Sequence, residues 1–336
     1  MKIIFTFLFL LVAKTSIAIN EQLAVVTPSF HRDLKVSVRM YNSFQKFLKE
    51  KDQTPFYFIV PDNETQLFEN TFQPVVEKQK WNTKFFILSE KDVVLKCGGE
   101  KMLEKFKKMN GWRQQQVRKL CFAKLNKAQN YITVDSDSYL TENFSTKTLM
   151  APNGKIKTLM PYFTNKNNQK QMQARWQKET KPFLYDHHNK EEQSIFDSID
   201  KIKKTLNDKT PHYNHYVQTT QLWNSQLVND MNNFLQSKGY DFVDIIQISP
   251  WEINWYTTYL ITHKPEEVYP INTIFRMTTE GSCYSGHLFN KYYGISYQYS
   301  TEGSEYKECN WFKKTSANIS RTIRDYMRSK KGYFIQ

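Results

Sequence analysis

After its first eighteen residues the chain lacks three things: an apolar run long enough to cross a bilayer, cysteines at zinc-binding spacing, and acids in proportion to its bases. A spanning helix needs about twenty consecutive apolar residues, and the one candidate run, Ile3 to Ala13, is roughly half that. Flanked by Lys2 and by the small residues of Lys14-Thr15-Ser16-Ile17-Ala18, this run reads as a secretory signal peptide over residues 1–18, with no stable transmembrane anchor expected. The four cysteines, Cys97, Cys121, Cys283 and Cys309, are too widely spaced for a structural zinc site. In an oxidising lumen they can form two disulfides. Sequence order favours Cys97 with Cys121 and Cys283 with Cys309, but three pairings are open and Cys121 also reads as a buried helix thiol. Asn63, Asn143 and Asn318 each begin a glycan acceptor pattern.

Acids number 33 against 47 Lys and Arg, a net charge of +14. Such a surplus attracts polyanions, yet the lysines are dispersed rather than gathered in a stripe, so no nucleic-acid partner is expected. Acidic glycans or nucleotide diphosphates fit better, and many of the lysines simply keep the surface solvated.

What the chain does have is a repeating alternation. Leu23 to Thr27, Pro55 to Val60 and Lys84 to Leu88 read as buried strands. Between the first two, Leu34, Val38, Tyr41, Phe44 and Leu48 recur at helical steps. Strands separated by helical segments predict βαβ units and a mostly parallel sheet flanked by helices, an α/β fold.

The fourth strand, Tyr131-Ile132-Thr133-Val134, runs into Asp135-Ser136-Asp137-Ser138, whose side chains compete for backbone hydrogen bonds and should end it near Val134. Ligands bind at the carboxyl edge of such sheets, and two hard oxygen donors there, Asp135 and Asp137, suit Mg2+ or Mn2+ carrying a diphosphate. Asp and Ser after a strand are also ordinary turn and cap residues. Just before this strand, Gly111 to about Asn126 reads as a helix with Val117, Leu120, Cys121 and Leu125 inward, and Trp112, Gln115, Gln116 and Lys119 on a second face able to look into a cleft.

Farther on, Ile156 to Phe163 predicts another strand, and Thr164 to about Gln193 a polar surface excursion. His187-His188 and His212-x-x-His215 lack two further ligands and read as hydrogen-bonded or exposed. Val217 to Leu235 predicts a core helix, and Tyr240 to Ser249 a final strand delivering Trp251 and Glu252 to the site's edge. There Glu252 would face an acceptor hydroxyl, as general base or orienting group; it reads equally as a helix N-terminal acid. Trp251, Trp255, Tyr256 and Tyr259 can stack on sugars or pack a core. A Tyr/Gly-rich part from Gly281 to Tyr299 and a basic helix from Ser316 to Lys331 complete the chain.

The first strand's Ala-Val-Val-Thr-Pro-Ser-Phe, Trp112-x-x-Gln115-Gln116-x-x-Lys119-Leu120, Asp135-Ser136-Asp137 and Ser249-Pro250-Trp251-Glu252, in that order, resemble a poorly characterised family of glycosyltransferase-like proteins with a GT-A-like nucleotide-diphospho-sugar fold. The resemblance spans about residues 21 to 275. It implies a domain over 19–275 with an extension over 276–336 packed on it. It further implies that Thr27, Pro28, Ser29, Pro61 and Asp62 hold the nucleotide, that Trp112, Gln115, Gln116 and Lys119 line the donor pocket, and that Asp135 and Asp137 hold the metal. Where the family has an acid after the serine of the last motif this chain has Pro250, leaving Glu252 as the carboxylate there. The expectation is a metal-dependent transferase in the secretory lumen (ER or Golgi) or outside the cell, moving a sugar from a nucleotide diphosphate donor to a glycan or glycoconjugate. The alternative is a catalytically silent secreted protein that binds acidic glycans.

Overall fold

The structure, a computed structural model, describes residues 21–79, 84–159, 221–271, 274–279 and 294–298. The signal segment, the polar excursion, the four histidines singled out above, Cys283, Cys309, Asn318 and the basic C-terminal helix lie outside the described residues.

Five strands form the main sheet: β1 (Glu21–Pro28), β2 (Phe56–Val60), β3 (Phe85–Ser89), β4 (Ala128–Thr133) and β7 (Gln221–Asn224), in the order β3-β2-β1-β4-β7. The first four are parallel, and β7 runs antiparallel on β4. The crossovers are helical: α1 (Leu34–Phe47), α2 (Thr65–Gln79), and the pair α3 (Glu90–Lys107) and α4 (Gly111–Cys121). Central parallel strands are covered on both faces and so read as continuous apolar runs. Ala24, Val25 and Val26 of β1 and all of β2 are accordingly buried. On α1, Tyr41 lies edge-on to Phe56, Phe72 and Phe85 at 5.2, 5.7 and 5.4 Å between centroids. Each such pair adds about 0.5–1.5 kcal/mol beyond its buried area.

The order fixes where a site can be. From β1 the chain steps outward to β2 and β3, then returns to the far side of β1 as β4. Neighbouring crossovers therefore diverge between β1 and β4, which opens a crevice at the carboxyl ends of those two strands.

Smaller strands follow: β5 (Ser138–Leu140) with β9 (Phe275–Thr279) and β10 (Gly294–Gln298) in a second sheet, and β6 (Thr158–Leu159) beside β8 (Pro270–Ile271). Three expectations need correction. Tyr240 to Ser249 contains no strand: α6 (Phe242–Ile248) is a helix, capped reciprocally by the Asp241 and Asp244 side chains and backbones. That capping box satisfies two N-terminal donors and outweighs the β-branched residues behind it. The helix expected from Val217 begins only at Ser225, as α5 (Ser225–Ser237); Gln221–Asn224 is the edge strand β7, and Asn224 caps α5 by accepting from Leu227 N–H. Within Ile156 to Leu159, the described part of that expected strand, only Thr158 and Leu159 form a strand, β6, while Ile156 makes an isolated antiparallel bridge to Met150. The last helix is α7 (Glu252–His263).

Candidate functional site

Helix α4 starts where Asn110 accepts a hydrogen bond from Arg113 N–H at 3.0 Å. Val117, Leu120 and Cys121 enter the core, and Cys121 is disulfide-bonded to Cys97 of α3. Of the expected pairings this one is formed. Beside the apolar stripe, the face bearing Gln115, Gln116 and Lys119 turns toward the end of β4. Val134 N–H still bonds to Val26 across the sheet, and Ser138 N–H closes back on the Asp135 carbonyl at 2.9 Å. The Asp-Ser-Asp-Ser stretch is thus a tight turn from the main sheet into β5, at the crevice beside β1.

One buried ammonium organises this turn. Lys119 Nζ lies 3.1 Å from Asp135 Oδ1 and 3.2 Å from Glu252 Oε1, with 4% of its side chain exposed. The two carboxylate oxygens are therefore no farther apart than those contacts laid end to end. Gln115 Nε2 donates to Asp135 Oδ1 at 3.4 Å, and Tyr131 Oη donates to the Lys119 carbonyl at 3.0 Å. Burial alone would lower the lysine's pKa, but the Asp135 and Glu252 charges overcome it and hold Lys119 above its ordinary value. Burial raises Glu252; Lys119 opposes that shift and Asp135 adds to it. Glu252 reaches the site as the first residue of α7, not from a strand.

A further acid escaped the sequence reading. Asp33, in the turn after β1, accepts from Ser136 Oγ at 2.7 Å and so grips the residue between Asp135 and Asp137. Burial raises its pKa against that hydrogen bond. No spacing signal marks it, since only the fold brings Asp33 to Ser136.

The residues assigned to the nucleotide by resemblance are less open. Thr27, Pro28 and Ser29 are all buried, and Ser29 Oγ is 2.8 Å from Ser37 Oγ. Above them Arg118 Nη1 donates to the carbonyls of Ser29 and Ile59 at 3.2 and 3.4 Å, joining the ends of β1 and β2. Its Nε lies 3.2 Å from Glu90 Oε2, an ion pair without the alignment of a hydrogen bond. Asp62 is exposed, and one of its oxygens accepts from Ser89 Oγ and Lys91 N–H, fastening the Pro61-Asp62 turn to the start of α3.

At the other end of α4, Gln116 is buried with its amide on the Trp112 carbonyl, and Trp112 is 43% exposed. Trp112 meets Trp251 edge-on at 5.5 Å. Trp255, Tyr256 and Tyr259 are buried in the core, leaving half-buried Trp251 as the member of that aromatic group at the site.

Among the described residues no three His, Cys, Asp or Glu side chains stand together as a metal cage. Asp135 and Asp137 stand two residues apart in the turn that follows β4. Of the acceptor asparagines, Asn63 and Asn143 are exposed.

Among solved structures, mouse xyloside xylosyltransferase 1 in its apo form is similar, with a TM-score of 0.41 and 9% sequence identity over 76% of this chain and 88% of that chain. No curated protein matches the chain. A family of unknown function, DUF6492, matches over residues 22–323, and the chain belongs to that family.

Proposed function

We propose that the chain is a metal-dependent glycosyltransferase of GT-A-like architecture, moving a sugar from a nucleotide diphosphate donor to a glycan or glycoconjugate acceptor. The observation that carries this reading is Lys119 held between Asp135 and Glu252, at the crevice where the strand order reverses.

Transfer forms a bond from an acceptor hydroxyl oxygen to the anomeric carbon, breaks that carbon's bond to the diphosphate, and releases one proton. Negative charge develops on the departing diphosphate. Asp135 and Asp137 would hold the divalent cation, which when bound neutralises that charge. Lys119 supplies a second, preorganised positive charge in a site sheltered from water, where it acts more strongly than in solution. Asp33 fixes the metal-binding turn through Ser136. Glu252, made more basic by burial, orients the acceptor hydroxyl or takes its proton. The Cys97–Cys121 disulfide and the exposed Asn63 and Asn143 favour the secretory lumen or the cell exterior.

A thermal-shift panel of nucleotide sugars, with and without Mn2+, tests the reading. One donor should raise the melting temperature only when Mn2+ is present. A ligand at a hundred times its Kd stabilises by about 2.7 kcal/mol, enough to see. If no donor shifts the transition, and only sulfated or uronic glycans do in a salt-sensitive way, the chain is a glycan-binding protein instead.

A further inference from the structure

We infer that Trp112 and Trp251 form a stacking platform for a pyranose ring of the acceptor, one ring removed from the reacting hydroxyl. This rests on the transferase reading for the word acceptor, and on geometry for the platform.

The large exposed hydrophobic side chains among the described residues are Leu67, Phe86 and Trp112, on three different elements. A whole aromatic side chain has about 150–250 Å2 to bury, of which Trp112 leaves 43% open, far short of the roughly 800 Å2 per partner that a stable protein interface buries. It does match one sugar ring, whose C–H face lies on an aromatic surface while its hydroxyls stay wet. Trp251 meets Trp112 edge-on and limits its rotation, so little entropy remains to be lost on binding. Half-buried Gln115 and Arg113 on the same helix offer donors to ring hydroxyls.

Position selects acceptor over donor. Trp112 leans on the residue just before α7, the element that brings Glu252. The loops after β2 and β3 are instead tied together through Asp62, Ser89 and Lys91. The resemblance implies a donor role for Trp112; its contact with Trp251, the neighbour of Glu252 in the chain, is the ground for placing it on the acceptor instead. Trp112 also precedes Lys119 by two helical turns, about 10 Å along the axis. That backbone spacing leaves room for a second ring between the one on Trp112 and the hydroxyl at the Lys119–Glu252 pair, so the acceptor proposed is at least a disaccharide.

The test is saturation-transfer NMR on the full chain with lactose, cellobiose, chitobiose and maltose. At least one should show transfer to the ring C–H protons of a single residue. Trp112→Ala should cut that transfer about fivefold, the scale of one aromatic contact, and Trp112→Phe should restore part of it. Equal transfer in wild type and Trp112→Ala overturns the platform, as does no transfer from any disaccharide to the wild type. The Mn2+ donor panel run in parallel separates the two readings. Donor protection without disaccharide transfer removes the platform and leaves the transferase. Trp112-dependent transfer without donor protection supports the platform and removes the transferase.

Discussion

Arg118 and Lys119 are consecutive residues of one helix, both buried and both facing carboxylates, yet they do opposite things. Arg118 is spent on the scaffold: its guanidinium bonds to the last carbonyls of β1 and β2 and pairs with Glu90 at the start of α3. The Lys119 ammonium instead meets two side-chain carboxylates, Asp135 after β4 and Glu252 at the start of α7. A fixed planar fork suits carbonyls at set positions, while a compact ammonium on a flexible stem can shift as charge around it changes. Burial and charge are shared by both cations; what each one contacts is what separates them.

The strongest way to break this contrast is at Arg118. Arg118→Met leaves half-buried Glu90 unpaired and the Ser29 and Ile59 carbonyls without this donor, at a cost of about 3 kcal/mol, the low end for breaking a buried pair, which a urea denaturation midpoint would report. An unchanged midpoint would mean that the arginine does not brace the strands. Next is the disulfide beside both cations. Cys97 and Cys121 close a loop of 24 residues, worth about 3 kcal/mol in the chain-entropy account. The double Cys→Ala variant should melt earlier, and intact mass under nonreducing conditions should show the bond in the wild type. Two free thiols at these positions would remove both the tether and the lumenal argument.

Asp137→Ala addresses the Lys119 side. Turnover should drop at least about a hundredfold, near 2.7 kcal/mol of transition-state stabilisation, with the denaturation midpoint kept; wild-type turnover by this variant after chelation would end the metal reading. The smallest effect concerns pH. Burial raises Glu90 above its ordinary value of 4.5 even though Arg118 pulls the other way. The folded state then keeps this proton longer than the unfolded chain does, so stability declines as pH rises from about 4.5 to the raised value and is flat beyond it. Glu90→Gln should remove that slope in denaturation curves across the same interval. A slope that persists in the variant assigns it to another group.

The sheet was legible because its strands are apolar on both faces and its helices carry one clean stripe, as in β1, β2 and α1. The turn that carries Asp135 and Asp137 was legible because a strand cannot continue through Asp-Ser-Asp-Ser. Two failures share one cause. Val243, Ile245 and Ile246 favour a strand by shape, but Asp241 and Asp244 cap each other's turn and make α6. Gln221 to Asn224 looks helical until β4 offers it an edge. In both places a short contact overruled residue preference. Glu252 was located correctly from an incorrect strand, since α7 begins where that strand would have ended. Asp33 was invisible because its partner Ser136 is 103 residues away.

The Lys119–Glu252 pair spans 133 residues, which bears on the protein's birth rather than its activity. At about 5–20 residues per second, synthesis of that stretch takes on the order of ten seconds. During that interval β1 to β4 can already be paired, and Lys119 has Asp135 alone. Lys105, which later bonds to Asp241 and Asp244, also waits. Both clasps join the early sheet to the segment from α6 to the start of α7, so the half-site made first becomes whole only when that late segment docks.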